Sequence, residues 1–452
     1  MEAPRPLLRQ RDAIAIIVGI VIGAGIFKTP SMVAGVTGDP GWAIVAWVLG
    51  ALVSLAGALC YAELATTYPH AGGDYHFLTR AWGRQVSFLY AWARATVINT
   101  GSIALLAFVF GDYMARVISL GPWSGALWAV IIVMVLTAIN IAGLQASART
   151  QNILTIVEVT GLIAVAIAGF AAPALGAAPG GAFAGAFSTT PALGMFGLAM
   201  VFVLLTYGGW NEAAYISAEL RGGRRAIVPV LITSLAILAI VYVIVNVALL
   251  QGLGLKGLAD SKAAGAEVML RTFGTFGAQA LSLLVAIAAL TSINATMIVG
   301  ARTNYAMGRD WTALRFMGGW HADRGTPVAA LVVQAAIALA LIAFGALQND
   351  GFEAMVEFTA PVFWSFLFLV GIAVFRLRAR DPGIERPFSV PLYPVVPLVF
   401  CAACAWLAYS SIAYAMSRNA VHISLIVMAV GVVALLFTRT RGTPPAAVAA
   451  SD

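Results

Sequence analysis

The chain has 452 residues, 61% of them hydrophobic and 10% charged, with a formal net charge of +7 and a mean hydropathy of +0.93. That balance excludes a water-soluble fold of this size, because apolar runs of this kind read as helices that cross a bilayer. The basic excess needs no nucleic acid to explain it once the positions of the basic residues are known.

Twelve apolar runs are predicted, over 13–36, 42–62, 86–110, 122–142, 153–174, 193–218, 227–251, 276–300, 328–348, 355–375, 392–415 and 421–438. They fill almost the whole chain, so the expected fold is an all-α polytopic membrane protein with twelve transmembrane helices and no soluble domain. The opening "MEAPRPLLRQRD" (1–12) lacks a cleavage site after the first run, which is therefore expected to stay as a helix. With the N-terminus inside, nineteen basic residues fall on the cytoplasmic face and five on the outer face. This bias puts both termini, 1–12 and the tail 439–452, in the cytoplasm.

Along the chain, the first run holds "VGIVIGAGIFKTPS" (18–31), with Gly19, Gly23, Gly25 and Lys28 at a depth where unpaired backbone is costly. Gly23 lies about ten residues, roughly 15 Å, into the run and so near the bilayer midplane. The third run carries Arg94, and the fifth carries Glu158 in "QNILTIVEVTGLI". Residues 171–190 read as a flexible external linker rich in Ala, Gly and Pro. The sixth run, "FVLLTYGGWNEAAYISAEL", has Gly208-Gly209 near its middle and Glu212 just beyond. Basic cytoplasmic loops are expected at 67–85, 301–326 and 376–391, and a mixed-charge external loop at 252–275.

Runs one and six open two successive sets of five that enter the membrane from opposite faces. Paired glycine interruptions at corresponding positions point to an inverted-repeat transporter whose site lies at the breaks. Close helix packing through small residues is the competing reading. A half-helix N-terminus presents free N–H groups and a positive dipole end to an anion, and a half-helix C-terminus presents carbonyls to a cation. Two broken helices side by side therefore suit an α-amino acid, with Gly23-Ala24-Gly25 facing its carboxylate and Thr206 to Gly208 facing its amine.

"GIVIGAGIF", "FVLLTYGGWNEAAYISAEL", "NATMIVGARTNYAMGRD" and "ERPFSVPLYP" together resemble the amino acid–polyamine–organocation superfamily over roughly residues 12–395. "INTGSIAL" (98–105) and "YGGWN" (207–211) bring the chain closest to the L-type amino acid transporter branch. The resemblance implies the LeuT-type five-plus-five inverted repeat, here 13–174 and 193–376, with two further helices over 392–438 and alternating access. It puts the substrate carboxylate at Gly23, Ala24 and Gly25, with Ile26 next in the stretch, and the amine at the carbonyls of Leu205, Thr206 and Gly208. Ala24 falls where the branch often has Ser, so backbone must serve there. Leu205 falls where an aromatic commonly gates the site, which leaves a looser gate or an occluding role for Tyr207. Trp210 and Asn211 match the pattern at the second break. Animal relatives link to a single-pass glycoprotein through a Cys between runs three and four. The corresponding "RVISLGPW" (116–123) has none, so no disulfide-linked heavy subunit is expected.

The intramembrane charges carry several readings. Many relatives have a lysine where this chain has Glu158, standing in for a sodium ion. The glutamate is read as a proton-coupling group, as a reader of substrate charge, or as half of a structural ion pair. Lys28 and Glu212 flank the expected cavity and form a candidate pair, and Arg94 is expected to pair with an acid. Glu63 and Glu219 are expected in inner-gate salt bridges with loop arginines, and Glu357 at the outer gate. Thr291, Ser292, Asn294 and Thr296 of the eighth run offer oxygens to a sodium-like site, although hydroxyls in membrane helices commonly bond their own backbone. Cys60, Cys401 and Cys404 all lie in apolar runs and read as packing, and the four histidines have no metal-ligand spacing.

The function expected is secondary transport of amino acids, as exchanger or proton symporter, across a cell membrane of bacterial inner-membrane type. No cofactor or metal is expected, and coupling is to H+ in preference to Na+. A polyamine or cationic amino-acid carrier, a non-transporting sensor and an ion channel are the alternatives. An intramembrane enzyme is disfavoured because no protease, hydrolase or phosphate-loop motif is present.

Overall fold

The first apolar run does not form one helix. In the computed structural model, which describes residues 10–69, 73–143, 148–172, 181–212, 226–321, 324–348, 350–417 and 421–438, α1 (Gln10–Val21) stops at the glycines. A short 3-10 turn (Ala24–Phe27) follows, and α2 (Thr29–Thr37) resumes the run. The sixth run breaks likewise: α9 (Leu193–Thr206) gives way to a turn at Tyr207 to Gly209 and a 3-10 segment, Trp210–Glu212.

The other elements before α9 are α3 (Pro40–Thr67), α4 (Gly73–Trp82), α5 (Arg84–Ala93), α6 (Asn99–Val117), α7 (Ser124–Ile141) and α8 (Ala148–Ala171). After α9 come α10 (Ile227–Ala259), α11 (Ala264–Asp310), α12 (Val328–Ala346), α13 (Gly351–Arg380), α14 (Val395–Ser417) and α15 (Val421–Phe437). There is no strand among the described residues. Among the described residues, eight helical stretches are long and apolar enough to cross a bilayer outright, and Ile156–Ala171, Leu193–Thr206 and His422–Phe437 are shorter apolar helices. The protein is therefore an all-α, multi-pass membrane protein.

Three expected loops prove largely helical. Residues 67–85 contain α4. The 301–326 segment is helical to Asp310 and again, as a 3-10 turn, over Thr312–Met317. The 252–275 segment is the continuation of α10 and α11, interrupted by Gly254 (φ 71°) and Gly274 (φ 67°). Many of the charged residues that mark a loop in sequence, Arg80, Lys256, Glu267, Arg302 and Arg309 among them, lie on helix beyond the apolar run.

Helix faces follow period 3.6. On α8, Ile156, Ile163 and Ile167 are 66%, 54% and 57% exposed and form one outward stripe, while Glu158 on the opposite face is 1% exposed. At the start of α3, Pro40 occupies the first turn and Asp39 caps it, its Oδ1 accepting the N–H of Gly41 at 2.8 Å and of Trp42 at 3.1 Å. The same carboxylate accepts the N–H of Phe187 and Thr189, at 3.0 and 3.3 Å, pinning the end of the linker before α9 to the helix. Burial alone would raise the Asp39 pKa. The four backbone donors outweigh it and hold the carboxyl below its ordinary value.

Candidate functional site

A cavity of about 300 Å³ lies where the two broken runs meet α6 and the turn before it, α11 and α13, at the small end of the range typical of small-molecule sites. Gly23, Gly25, Leu205, Thr206, Gly208 and Asn211 all line it. Gly23 is extended (φ −84°, ψ 179°), and its N–H is taken by the Val21 carbonyl at 2.7 Å. The N–H groups of Ala24 and Gly25 then open a 3-10 turn, where no intrahelical carbonyl reaches them. Close approach explains the small residues. A Cβ on Gly23 would stand 3.4 Å from Ser292 Oγ, and one on Gly208 would stand 2.9 Å from the Leu205 carbonyl. Gly209 has φ +104°, which a side chain resists.

Of the residues named with the site, Ile26 and Tyr207 do not line it, and the side chain of Ala24 lies outside the described residues. Ile26 is fully buried. Tyr207 is fully buried too, its ring 6.0 Å from Trp47 and 4.9 Å from Tyr242, so it packs the break from behind and does not occlude the cavity. The two breaks are joined directly: the Thr206 hydroxyl bonds the Thr29 hydroxyl at 2.8 Å, and the Tyr242 hydroxyl donates to the Val21 carbonyl at 2.8 Å.

Arg94 also lines the cavity. It opens a π-helical turn, Arg94–Ile98, between α5 and α6, a widening often found at functional sites. Its guanidinium donates to the Tyr90 hydroxyl at 3.1 Å, and that hydroxyl donates to Asp74 at 2.8 Å. Asp74 is thus linked to Arg94 through a tyrosine. A smaller space of about 40 Å³, lined by Asp74, Tyr90 and Arg94, continues from the inner end of the cavity.

Lys28 points outward from the cavity, and the expected Lys28–Glu212 pairing gives way to a different one. The ammonium, 1% exposed, lies 3.1 Å from Asp112 on α6 and 3.1 Å from Asp350, the N-cap of α13. Glu212's side chain lies outside the described residues, as does all of Glu219. Alongside, Tyr113 donates to the Phe27 carbonyl at 3.0 Å, and Phe352, which lines the cavity, has its ring 6.0 Å from the Lys28 ammonium. These contacts form a roof over the outer end of the cavity.

At the opposite end from Lys28, Glu63 receives two hydrogen bonds from Arg378 at 2.7 and 2.5 Å and one from the Val390 N–H at 2.7 Å. Arg378 belongs to the end of α13 and not to a loop. The geometry still ties the inner ends of α3 and α13, as does Tyr68 donating to Asp381 at 3.0 Å.

Glu158 sits one side chain behind the cavity wall. Its Oε1 meets the Thr291 hydroxyl at 3.1 Å, Oε2 has no hydrogen-bond partner among the described residues, and it makes no ion pair there. Thr291 carries one proton and lies closer to the Ala288 carbonyl, at 2.8 Å. If that proton serves Ala288, a hydrogen bond between Glu158 and Thr291 requires the proton on the carboxyl. Of the other oxygens of the eighth run, Thr296 donates to the Ser292 carbonyl at 2.9 Å and Asn294 accepts from Asn140 at 2.7 Å, while Ser292 lines the cavity beside Gly23.

Residues 8–435 match the sequence profile of the family described as amino acid permease. The chain is 28% identical over 395 residues to the serine/threonine exchanger SteT of Bacillus subtilis, covering 86% of this chain and 87% of that protein. It is 27% identical over 408 residues to the human cystine/glutamate transporter, covering 88% and 79%. It is 28% identical over 400 residues to the human large neutral amino acids transporter small subunit 2, covering 86% and 73%.

Proposed function

Because the chain belongs to the amino acid permease family, we propose that it carries α-amino acids across a cell membrane by alternating access, with Glu158 coupling the movement to protons. The observation that carries the first part is the cavity bounded by two helix breaks. One break offers the amides of Ala24 and Gly25 to a carboxylate, and the other offers the carbonyls of Leu205, Thr206 and Gly208 to an ammonium. Ile26 stands behind the first group, and Asn211 is placed to meet the substrate beyond its headgroup. The runs that hold the breaks open two sets of five, 13–174 and 193–376, which act as the two repeats.

Glu158 supports the second part. A carboxylate buried at this depth without a counter-ion is costly, and a proton removes the cost. Thr291 belongs both to the cavity wall and to the Glu158 hydrogen bond, so a change in wall geometry reaches the carboxyl directly. Two of the four oxygens the eighth run offers a sodium ion, those of Thr296 and Asn294, already hold protein partners, whereas a proton needs only the Glu158 carboxyl. Exchange of one amino acid for another would need no titrating group.

Among the described residues of the cavity wall the charged side chain is Arg94. A cation there disfavours polyamines and cationic amino acids and favours neutral or acidic ones. The positive-inside bias supports cytoplasmic termini and a bacterial inner-membrane setting, and the cysteine-free 116–123 segment supports action without a disulfide-linked heavy subunit.

The test is counterflow in proteoliposomes with labelled alanine, serine, leucine, glutamate, arginine and putrescine. Uptake of one or more of the neutral or acidic amino acids is expected, with arginine and putrescine excluded. Uptake of putrescine alone, or of nothing in the panel, would contradict the proposal.

A further inference from the structure

We propose that Asn99 meets the substrate side chain as a fixed hydrogen-bond acceptor, and that Gln334, behind the cavity wall, is the positioning residue that fixes it so. The proposal rests on the transport reading above and narrows its substrates to α-amino acids whose neutral side chain donates a hydrogen bond. A side-chain amide has a donor end and an acceptor end of nearly the same shape, and its neighbours decide which end faces where. Here the decision begins at a backbone atom. Gln334, on α12 and 1% exposed, donates its Nε2 to the Met297 carbonyl of α11 at 3.0 Å. A carbonyl only accepts, so the Gln334 amide is held one way round, with its Oε1 turned from Met297.

That oxygen is buried and has no hydrogen-bond partner among the described residues, and the same holds for Nδ2 of Asn99, the first residue of α6. Both atoms border one notch beside Gly300 of α11: a Cβ built there would collide with Gln334 Oε1 and stand 2.9 Å from Asn99 Nδ2. Glycine thus leaves the donor of one amide and the acceptor of the other side by side. Turning Asn99 over would set two buried carbonyl oxygens against each other, which a low-dielectric interior penalises. Nδ2 is therefore held at the back of the wall. Asn99 lines both the main cavity and the smaller space beside Arg94, so the atom its amide offers there is Oδ1, an uncharged acceptor. A hydroxyl or amide N–H on the substrate satisfies that oxygen. An aliphatic side chain of the same size leaves it unpaired, and a second acceptor repels it. Threonine and valine, nearly alike in shape, differ by that one bond.

The experiment measures Kd by thermal-shift titration, and counterflow in proteoliposomes, for threonine, valine and O-methylserine, whose side chain accepts but cannot donate. The proteins are wild type, Asn99→Leu and Gln334→Met. Wild type is expected to bind threonine about tenfold tighter than valine, the scale of one hydrogen bond, and O-methylserine no better than valine. Asn99→Leu should bring all three ligands to similar affinity. Gln334→Met frees the Asn99 amide to turn, so the preference for threonine over valine should shrink while O-methylserine gains several-fold. A purely structural Gln334 would weaken all three ligands alike. Wild type that binds valine as well as threonine, a threonine preference that survives Asn99→Leu, or equal losses for the three ligands in Gln334→Met would each overturn the proposal. Wild type that binds these amino acids without moving them would overturn the transport reading and leave the affinity ratios decisive. Wild type that binds no amino acid overturns both.

Discussion

The Lys28 ammonium meets the Asp112 carboxylate at 3.1 Å directly above the cavity, and Asp350 closes on the same ammonium from a third helix. Removing the lysine leaves two carboxylates facing each other across the gap, so the roof should open. In Lys28→Met, an impermeant thiol reagent applied from outside is expected to label a Ser102→Cys reporter on the cavity wall several-fold faster than in the lysine parent. Unchanged labelling would mean that the cluster supports the fold without closing the site.

The second break depends on a conformation that only glycine holds at low cost. Gly209 has φ +104°, and an L-residue at positive φ costs about 1–2 kcal/mol. Gly209→Ala should raise KM for amino acids by about tenfold or abolish uptake. Gly194→Ala, where an added Cβ meets nothing within 4 Å, should be neutral or slightly stabilising. Transport assays and thermal midpoints on the two variants check the contrast.

Much of this architecture was legible from residue order. Apolar run length located the helices, and the glycines at 23, 25, 208 and 209 located both breaks, because a break in a membrane helix needs residues that let backbone and cavity approach each other. The partners of Lys28 were not legible. Asp112 and Asp350 lie 84 and 322 residues away, so only the fold, which brings the first break beside α6 and the start of α13, reveals them, and Glu212 was the nearer choice by sequence alone. Tyr207 misled for the opposite reason. Its position next to the break suggested a gate, but the turn at Gly208 and Gly209 sends its ring back onto Trp47 and Tyr242. Tyr242 carried no signal, since one tyrosine in an apolar run looks like any other.

Arg94 should act as a charge filter. For the wild type, arginine and putrescine are expected to compete with a neutral amino acid at least tenfold less well than leucine does. Arg94→Gln should narrow that gap while neutral uptake persists. Equal exclusion of cations by wild type and variant, measured as inhibition constants in the same vesicles, would assign Arg94 to the Tyr90–Asp74 network alone.

Asp39 gives a pH dependence outside the membrane. Its carboxyl is held below the ordinary value in the folded protein, so its stabilising effect is complete above the ordinary value and is lost as pH falls through the depressed one. Acidification over that window should release the linker around Phe187 and Thr189. Asp39→Ala should release it at all pH values, at a cost of about 1 kcal/mol for the lost cap. Hydrogen exchange of the 183–190 segment, followed against pH, reads both effects. A linker equally protected in the variant would contradict the role given to the cap.

The central claim is that the cavity moves amino acids and that Glu158 couples the movement to protons. It is tested most directly by uptake into empty proteoliposomes, with and without an inward proton gradient, for wild type and Glu158→Gln. The account predicts gradient-driven accumulation by wild type, and a variant that keeps counterflow exchange but no longer responds to the gradient. Accumulation that survives in Glu158→Gln, or a wild type indifferent to the gradient, would contradict it.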